Sequence, residues 1–191
     1  MRDALLIVAL VATLVPSPFA SAAQDRSSRP CRDCTVLDEA PEKLDWRLTI
    51  PSQGEPGSPL VLTGRVLAAD GETPAAGVLL YFHHTNGEGV YPPPPGSTGW
   101  RRRHGTLRGW LRTDAEGRYE LRTLRPGPYP DARIPAHIHL HIREADGSSY
   151  RGRDFHFTDD PFLSETARRR AVELVRAGDG WRGEKDVILR P

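Results

Sequence analysis

His137, His139 and His141 alternate with Ile138, Leu140 and Ile142 in one short stretch of the chain. Successive side chains on a strand point to opposite faces, so the imidazoles share one face and the aliphatic residues the other. The two-residue spacing puts His137 and His139 within reach of one metal ion. Each imidazole has a polar nitrogen to satisfy, which makes histidine a poor choice for a purely structural stripe. The bland alternative is an exposed strand face with incidental histidines. His141 is the weakest of the three and suits a place behind the ligands. Taken alone, the pair fits zinc, copper or iron.

Two tyrosines narrow the choice. Tyr91 stands just before Pro92, and Tyr129 lies between Pro128 and Pro130. Proline fixes its own φ, so both loops have a stiff backbone from which to aim a side chain. A phenolate is a hard anionic oxygen donor and matches Fe(III) better than Zn(II) or Cu(I). One tyrosine by itself is more often a packing residue with a bonded hydroxyl. Two of them beside a His-x-His pair are far more specific. His104 follows Arg101, Arg102 and Arg103 and is a candidate substrate contact. The three arginines would draw an aromatic carboxylate, and a solvated basic loop explains them equally well. His83 and His84 fall at a strand end, where one of them can reach the site although a surface role is the plainer reading, and His156 is read as a structural residue.

The elements that must hold these residues are mostly strands. The chain has 191 residues with 27% charged and 38% hydrophobic, the profile of one ordinary globular domain. Eighteen glycines and eighteen prolines argue against a helical bundle. A formal charge of +1 argues against a nucleic-acid binder that lives on phosphate contacts. Strands are predicted over Leu60 to Leu67, Gly77 to Phe82, Leu107 to Thr113, Arg118 to Leu124 and Ala136 to Ile142. Turn residues separate them at short intervals, at Ala69-Asp70-Gly71, at Asp114 to Gly117 and at Pro126-Gly127-Pro128. The fold class is therefore all-β, an antiparallel β-sandwich spanning 60–191, with long loops that carry the site. One helix is predicted, Ser164 to Ala177, with Ser164 as its cap, Gly178 as its stop and Arg168, Arg169 and Arg170 on a solvated face.

Residues Met1 to Ala22 read as a signal peptide, with Arg2, a twelve-residue apolar run and Ala20-Ser21-Ala22. The run is too short to span a bilayer, which takes about 20 apolar residues. The expectation is an exported protein, periplasmic or extracellular, that is not membrane-bound after cleavage. Residues 23–59 form an N-terminal arm, in which Cys31 and Cys34 read as a local disulfide. A bridge closing so small a loop removes little chain entropy.

Between Gly64 and Pro161 the chain resembles the intradiol ring-cleavage dioxygenases of the small, exported kind. The blocks that carry the resemblance are Leu62 to Val66, Tyr81 to Asn86, Gly89 to Pro92 and Arg102 to Trp110. Thr113 to Tyr119, Arg125 to Pro130 and Pro135 to His139 follow in the same order. The resemblance implies a non-haem Fe(III) held by Tyr91, Tyr129, His137 and His139. It implies that Tyr129 leaves the iron when substrate binds and acts as a base toward a catechol hydroxyl. The implied substrates are a small catechol and O2, and the implied product is a muconate-type diacid. Two positions depart from the pattern. Relatives carry an arginine three residues before the first histidine, where this chain has Ile134, with Arg133 one residue earlier. A one-residue shift in extended chain turns a side chain to the other face, so Arg133, Arg108 and His104 are all candidates for the missing role. Asp154 stands where relatives carry a glutamine. A homodimer is compatible with this reading. The alternative from a different class is a non-catalytic exported binding module with an adventitious or structural metal.

Overall fold

Strand β3 (Leu79–His84) is buried at every residue, which a strand achieves only when both of its faces are covered. In the computed structural model, which describes Cys31 and residues 33–191, it lies inside one of two packed sheets. The signal-peptide reading of Met1 to Ala22 lies outside the described residues.

In chain order the strands are β1 (Arg47–Thr49), β2 (Pro59–Leu67), β3, β4 (Arg108–Arg112), β5 (Arg118–Leu124) and β6 (His137–Arg143). They continue with β7 (Ser149–Arg151), β8 (Phe155–His156), β9 (Val175–Ala177), β10 (Gly180–Glu184) and β11 (Val187–Ile188). Among the described residues, two short helices, α1 (Gly99–His104) and α2 (Glu165–Arg168), and a 3-10 turn at Cys34–Glu39 complete the elements. One sheet runs β1-β5-β2-β10-β9, with β11 also on β2, and the other runs β4-β3-β6-β7, with β8 on β6. The pairs at the heart of both sheets, β2 with β5 and β3 with β4 and β6, are antiparallel. Parallel pairing occurs where β1 joins β5 and where β10 and β11 join β2. The antiparallel sandwich thus holds for the core, with parallel strands added around it.

Strand alternation divides β3 and β6 cleanly. Leu80, Phe82, Ile138, Leu140 and Ile142 enter the core between the sheets, together with Leu62, Tyr119 and Leu121. Leu79 and Tyr81 face outward and are capped by Cys34, Val36, Leu37, Trp100 and Trp110. The outer face of this sheet is therefore covered by the N-terminal segment and α1, which leaves the histidine stripe at the edge of an apolar cover. Cys31 and Cys34 are joined as a disulfide.

The helix predicted over Ser164 to Ala177 is a correction. Ser164 does cap a helix, its Oγ accepting from the Ala167 N–H, but the helix ends at Arg168. The chain then runs alongside β8, the Val172 N–H donating to the His156 carbonyl at 2.7 Å and the Thr158 N–H donating to Val172 at 3.0 Å. Val172 is buried in the inter-sheet core and Leu174 packs against it, a two-residue period, and Gly178 turns β9 into β10 at φ +62°. Pairing with the sheet overrides the local helical spacing. Among the described residues no helix is long and apolar enough to cross a membrane.

Candidate active site

Tyr91 and Tyr129 lie on the loops that follow β3 and β5, and glycines let these loops meet. A Cβ on Gly89, which sits at φ +81°, would collide with the Pro128 carbonyl, and one on Gly127 would collide with the Gly87 carbonyl. Hydrogen bonds fasten the contact: the Gly127 N–H donates to the Asn86 carbonyl at 2.9 Å, and Thr85 Oγ1 donates to the Gly127 carbonyl at 3.0 Å. Asn86 Oδ1 accepts from the Glu88 and Val90 N–H groups and so shapes the turn before Tyr91. As a result the two phenolic oxygens stand 3.2 Å apart.

Strand β6 supplies the imidazoles. His137 donates from Nδ1 to the Pro135 carbonyl at 2.7 Å. His139 Nδ1 lies 3.1 Å from Asp154 Oδ1, and Arg151 bonds the other Asp154 oxygen at 2.7 Å. Both Nδ1 atoms are thus engaged, and the two Nε2 atoms face each other at 3.1 Å. The rings of Tyr129 and His137 lie 5.5 Å apart, which joins the tyrosine pair to the histidine pair. All four predicted ligands are brought together.

These four residues fit a metal. Metal-bound imidazoles donate their second nitrogen to a carboxylate or a backbone carbonyl, and both kinds of acceptor stand at the Nδ1 atoms here, with Arg151 also reaching that of His139. Facing Nε2 lone pairs repel unless a cation or proton lies between them. Donors about 2 Å from an ion and at right angles to each other are about 3 Å apart, the spacing found within each pair. Burial and the bond to Tyr129 push the Tyr91 phenol well above its ordinary range, so its anionic form calls for a neighbouring cation. Burial raises the Asp154 carboxyl, but the bonds to His139 and Arg151 outweigh it and bring it down to about 2. Asp154 therefore stays ionised as the partner of His139.

A cleft of about 230 Å³ opens over this cluster, lined by Asp33, His83, Tyr91, Arg103, His104, Tyr129, His139, His141 and Arg151. Its size suits a single-ring molecule. His104 is in the wall, where its Nδ1 pairs with the Tyr81 hydroxyl at 2.9 Å. His141 also lines the cleft, its ring against Tyr81 and its Nδ1 3.9 Å from Cys31 Sγ. Arg108 is not in the cleft. It reaches Glu39 at 3.3 Å and lies against Trp110, on the covered side of the sheet. Nor does the structure bring Arg133 to the cleft, for its exposed guanidinium lies over the Phe162 ring.

The surface reading of His83 and His84 is also a correction. His84 is fully buried between the sheets, with Nδ1 on the Thr85 carbonyl and Nε2 on Thr123 Oγ1, both at 2.7 Å. His83 is 6% exposed and stacks on His104 in the cleft wall. Arg151 and Asp33 are the residues that the sequence reading missed, and of the two histidines at the end of β3 it is His83 that reaches the site.

A metal-competent cluster of two phenols and two imidazoles, carried on the loops and one strand of a two-sheet sandwich, defines a class of oxidative metalloprotein. A family model described as dioxygenase matches residues 36–177. The chain is 30% identical over 182 residues to the protocatechuate 3,4-dioxygenase beta chain of Burkholderia cepacia, covering 80% of this chain and 74% of that one. It is 31% identical over 127 residues to catechol 1,2-dioxygenase 1 of Acinetobacter lwoffii, covering 57% of this chain and 39% of that protein. The solved dioxygenase domain of a dioxygenase carbohydrate-binding protein fusion from Streptomyces sp. SirexAA-E superposes with a TM-score of 0.59. That pair is 26% identical, over 78% of this chain and 90% of that one. The chain belongs to the intradiol ring-cleavage dioxygenases, an iron-dependent family of aromatic catabolism. A dioxygenase, rather than a non-catalytic binding module, is the class it falls in.

Proposed function

We propose that this protein is a non-haem Fe(III) dioxygenase that cleaves a catechol between its two hydroxylated carbons with O2. Both oxygen atoms enter the product, a muconate-type diacid. The observation that carries the reading is the paired geometry, phenolic oxygens at 3.2 Å and imidazole nitrogens at 3.1 Å, with the Tyr129 and His137 rings 5.5 Å apart beside one small cleft.

Tyr91, Tyr129, His137 and His139 would hold the iron. Bound there, a ferric ion supplies Lewis acidity and a template, withdrawing electron density from a chelated catechol so that the ring becomes reactive toward dioxygen. His137 and His139 present Nε2 because Pro135 and Asp154 occupy the opposite nitrogens. As the phenolate held by the iron, Tyr129 would accept the proton of one catechol hydroxyl and become a neutral phenol, which it can do from the cleft wall that it lines. The protein is further proposed to act outside the cytoplasm. The reading of Met1 to Ala22 supports this, as does the disulfide between Cys31 and Cys34, a bond at home in oxidising compartments.

Iron-loaded protein should be red-brown from tyrosinate-to-Fe(III) charge transfer, change colour on adding catechol, and consume oxygen with one or more substituted catechols. His137→Ala should lose iron, and Tyr129→Phe should slow turnover. Protein that stays colourless after reconstitution and takes up no oxygen across the panel defeats the proposal.

A further inference from the structure

His83 occupies the outward face of β3 directly across from His139 in register. Its ring centroid lies 4.5 Å from that of His139 and 5.9 Å from that of Tyr91, so it borders the ligand cluster without belonging to it. On its other side it stacks on His104 at 3.7 Å, with the planes only 5° apart. His104 cannot drift, because the Tyr81 hydroxyl holds its Nδ1. The stack therefore fixes the orientation of His83.

The Nδ1 atom of His83 is sealed from solvent and has no hydrogen-bond partner. The edge that lines the cleft is consequently the opposite one, which carries Nε2. A buried N–H without an acceptor is rarer than an acceptor without a donor, which assigns the proton to Nε2 and leaves Nδ1 bare. A hydrogen-bond donor thus points into the cleft beside the metal ligands. A chelated catechol presents negatively charged oxygen there, and a bond to an ionised acceptor is roughly twice as strong as a neutral one. Among the cationic groups at the cleft, Arg103 is paired with Asp33 at 3.3 Å. Arg133 lies over Phe162, and the Arg151 guanidinium is held by Asp154.

We propose that His83 is a catalytic residue of this cleft, donating a hydrogen bond from Nε2 to an anionic oxygen of the bound catechol. The inference rests on the catechol reading above.

The test is an anaerobic titration of the iron-loaded protein with 4-nitrocatechol, followed by visible absorption, with iron content measured on the same samples. His83→Phe keeps the stacked ring and removes the donor. It should retain full iron and bind the probe about tenfold or more weakly. His83→Gln, whose amide nitrogen can approach the place of Nε2, should restore most of the affinity, and His83→Asn, which mimics Nδ1, should not. Equal binding by wild type and His83→Phe overturns the inference while leaving the catechol reading in place. Rescue by Asn as good as by Gln also overturns it. If His83→Phe does not fold, the Gln and Asn pair decides alone. A wild-type protein that holds iron but binds no catechol removes the catechol reading, and the inference with it.

Discussion

The Nε2 atoms of His137 and His139 face each other at 3.1 Å while each ring's Nδ1 is engaged by a different partner, the Pro135 carbonyl for one and Asp154 for the other. The carbonyl can only accept, so the His137 ring is fixed by the backbone itself. The His139 ring depends on a side chain. Two groups approach its Nδ1, Asp154 Oδ1 at 3.1 Å and Arg151 Nη2 at 2.8 Å, and they favour opposite tautomers. Asp154 accepts from Nδ1–H and leaves Nε2 as a lone pair, whereas Arg151 donates to a bare Nδ1 and sends the proton to Nε2.

Removing Asp154 should therefore hand His139 to Arg151 and block the metal-binding nitrogen. Asp154→Ala is expected to weaken iron affinity about 10- to 100-fold, measured by competition with a chelator. The double variant Asp154→Ala with Arg151→Ala should recover part of the loss. An unchanged affinity in the single variant would show that Asp154 does not set the tautomer.

The tyrosine pair depends on close backbone contact between the two loops as well as on the hydrogen bonds of Thr85 and Asn86. Gly89→Ala would place a methyl against the Pro128 carbonyl at a residue already in the left-handed region. The loops must separate, which is expected to cost about 1–3 kcal/mol of stability. Reconstituted Gly89→Ala should also lose most of its charge-transfer absorption, while Gly147→Ala, with open space around its Cβ, should retain it. Urea unfolding and a visible spectrum of both variants check the contrast.

Much of this site is legible in the sequence because it is built on strand alternation. The pattern His-x-His-x-His fixes which face of β6 is polar, and β5 falls at Arg118–Leu124, where the alternation places it. The proline-flanked tyrosines announce themselves by type. Other parts depend on partners far along the chain. His83 ends a run that reads as continuously apolar, and only the cover provided by Cys34, Val36 and Leu37 shows that the outer face of β3 is enclosed. Arg133 carries the right charge at a nearby position, but its orientation is set by Phe162, which no local pattern reveals. The helix reading from Ser164 is correct for its cap and first turn and fails where Val172 finds a strand edge.

Acid should unfold the iron-free protein through its buried histidines. Burial holds the His84 imidazole down to about 4, against 6.5 for an ordinary histidine. Between these values the unfolded chain binds a proton that the native state refuses, so stability falls as pH drops from 6.5 toward 4 and levels off below. From pH 7 to 5 this one residue should remove about 2 kcal/mol. His104 and His141, lowered by burial to about 3 and about 4, act in the same direction. Denaturant unfolding of the apoprotein at the two pH values should show the loss, and His84→Gln should flatten the dependence. A wild-type stability that is level across that range contradicts the burial argument.

The segment after α2 offers a test of strand against helix. Val172 is 1% exposed and sits in the inter-sheet core, whereas Glu173 beside it is exposed. Gly183 on β10 is packed so closely beneath Val172 and Leu174 that an added Cβ would strike both side chains. Val172→Ala should cost about 2 kcal/mol from lost burial and the cavity left behind. In a helix that left Val172 on its exposed face the same change would be nearly neutral or stabilising, because alanine is the better helix former. Gly183→Ala should destabilise as well, whereas for an uncrowded strand position replacing glycine by alanine would help. Urea unfolding of both variants therefore discriminates, and a stabilised Val172→Ala would overturn the strand assignment for this region.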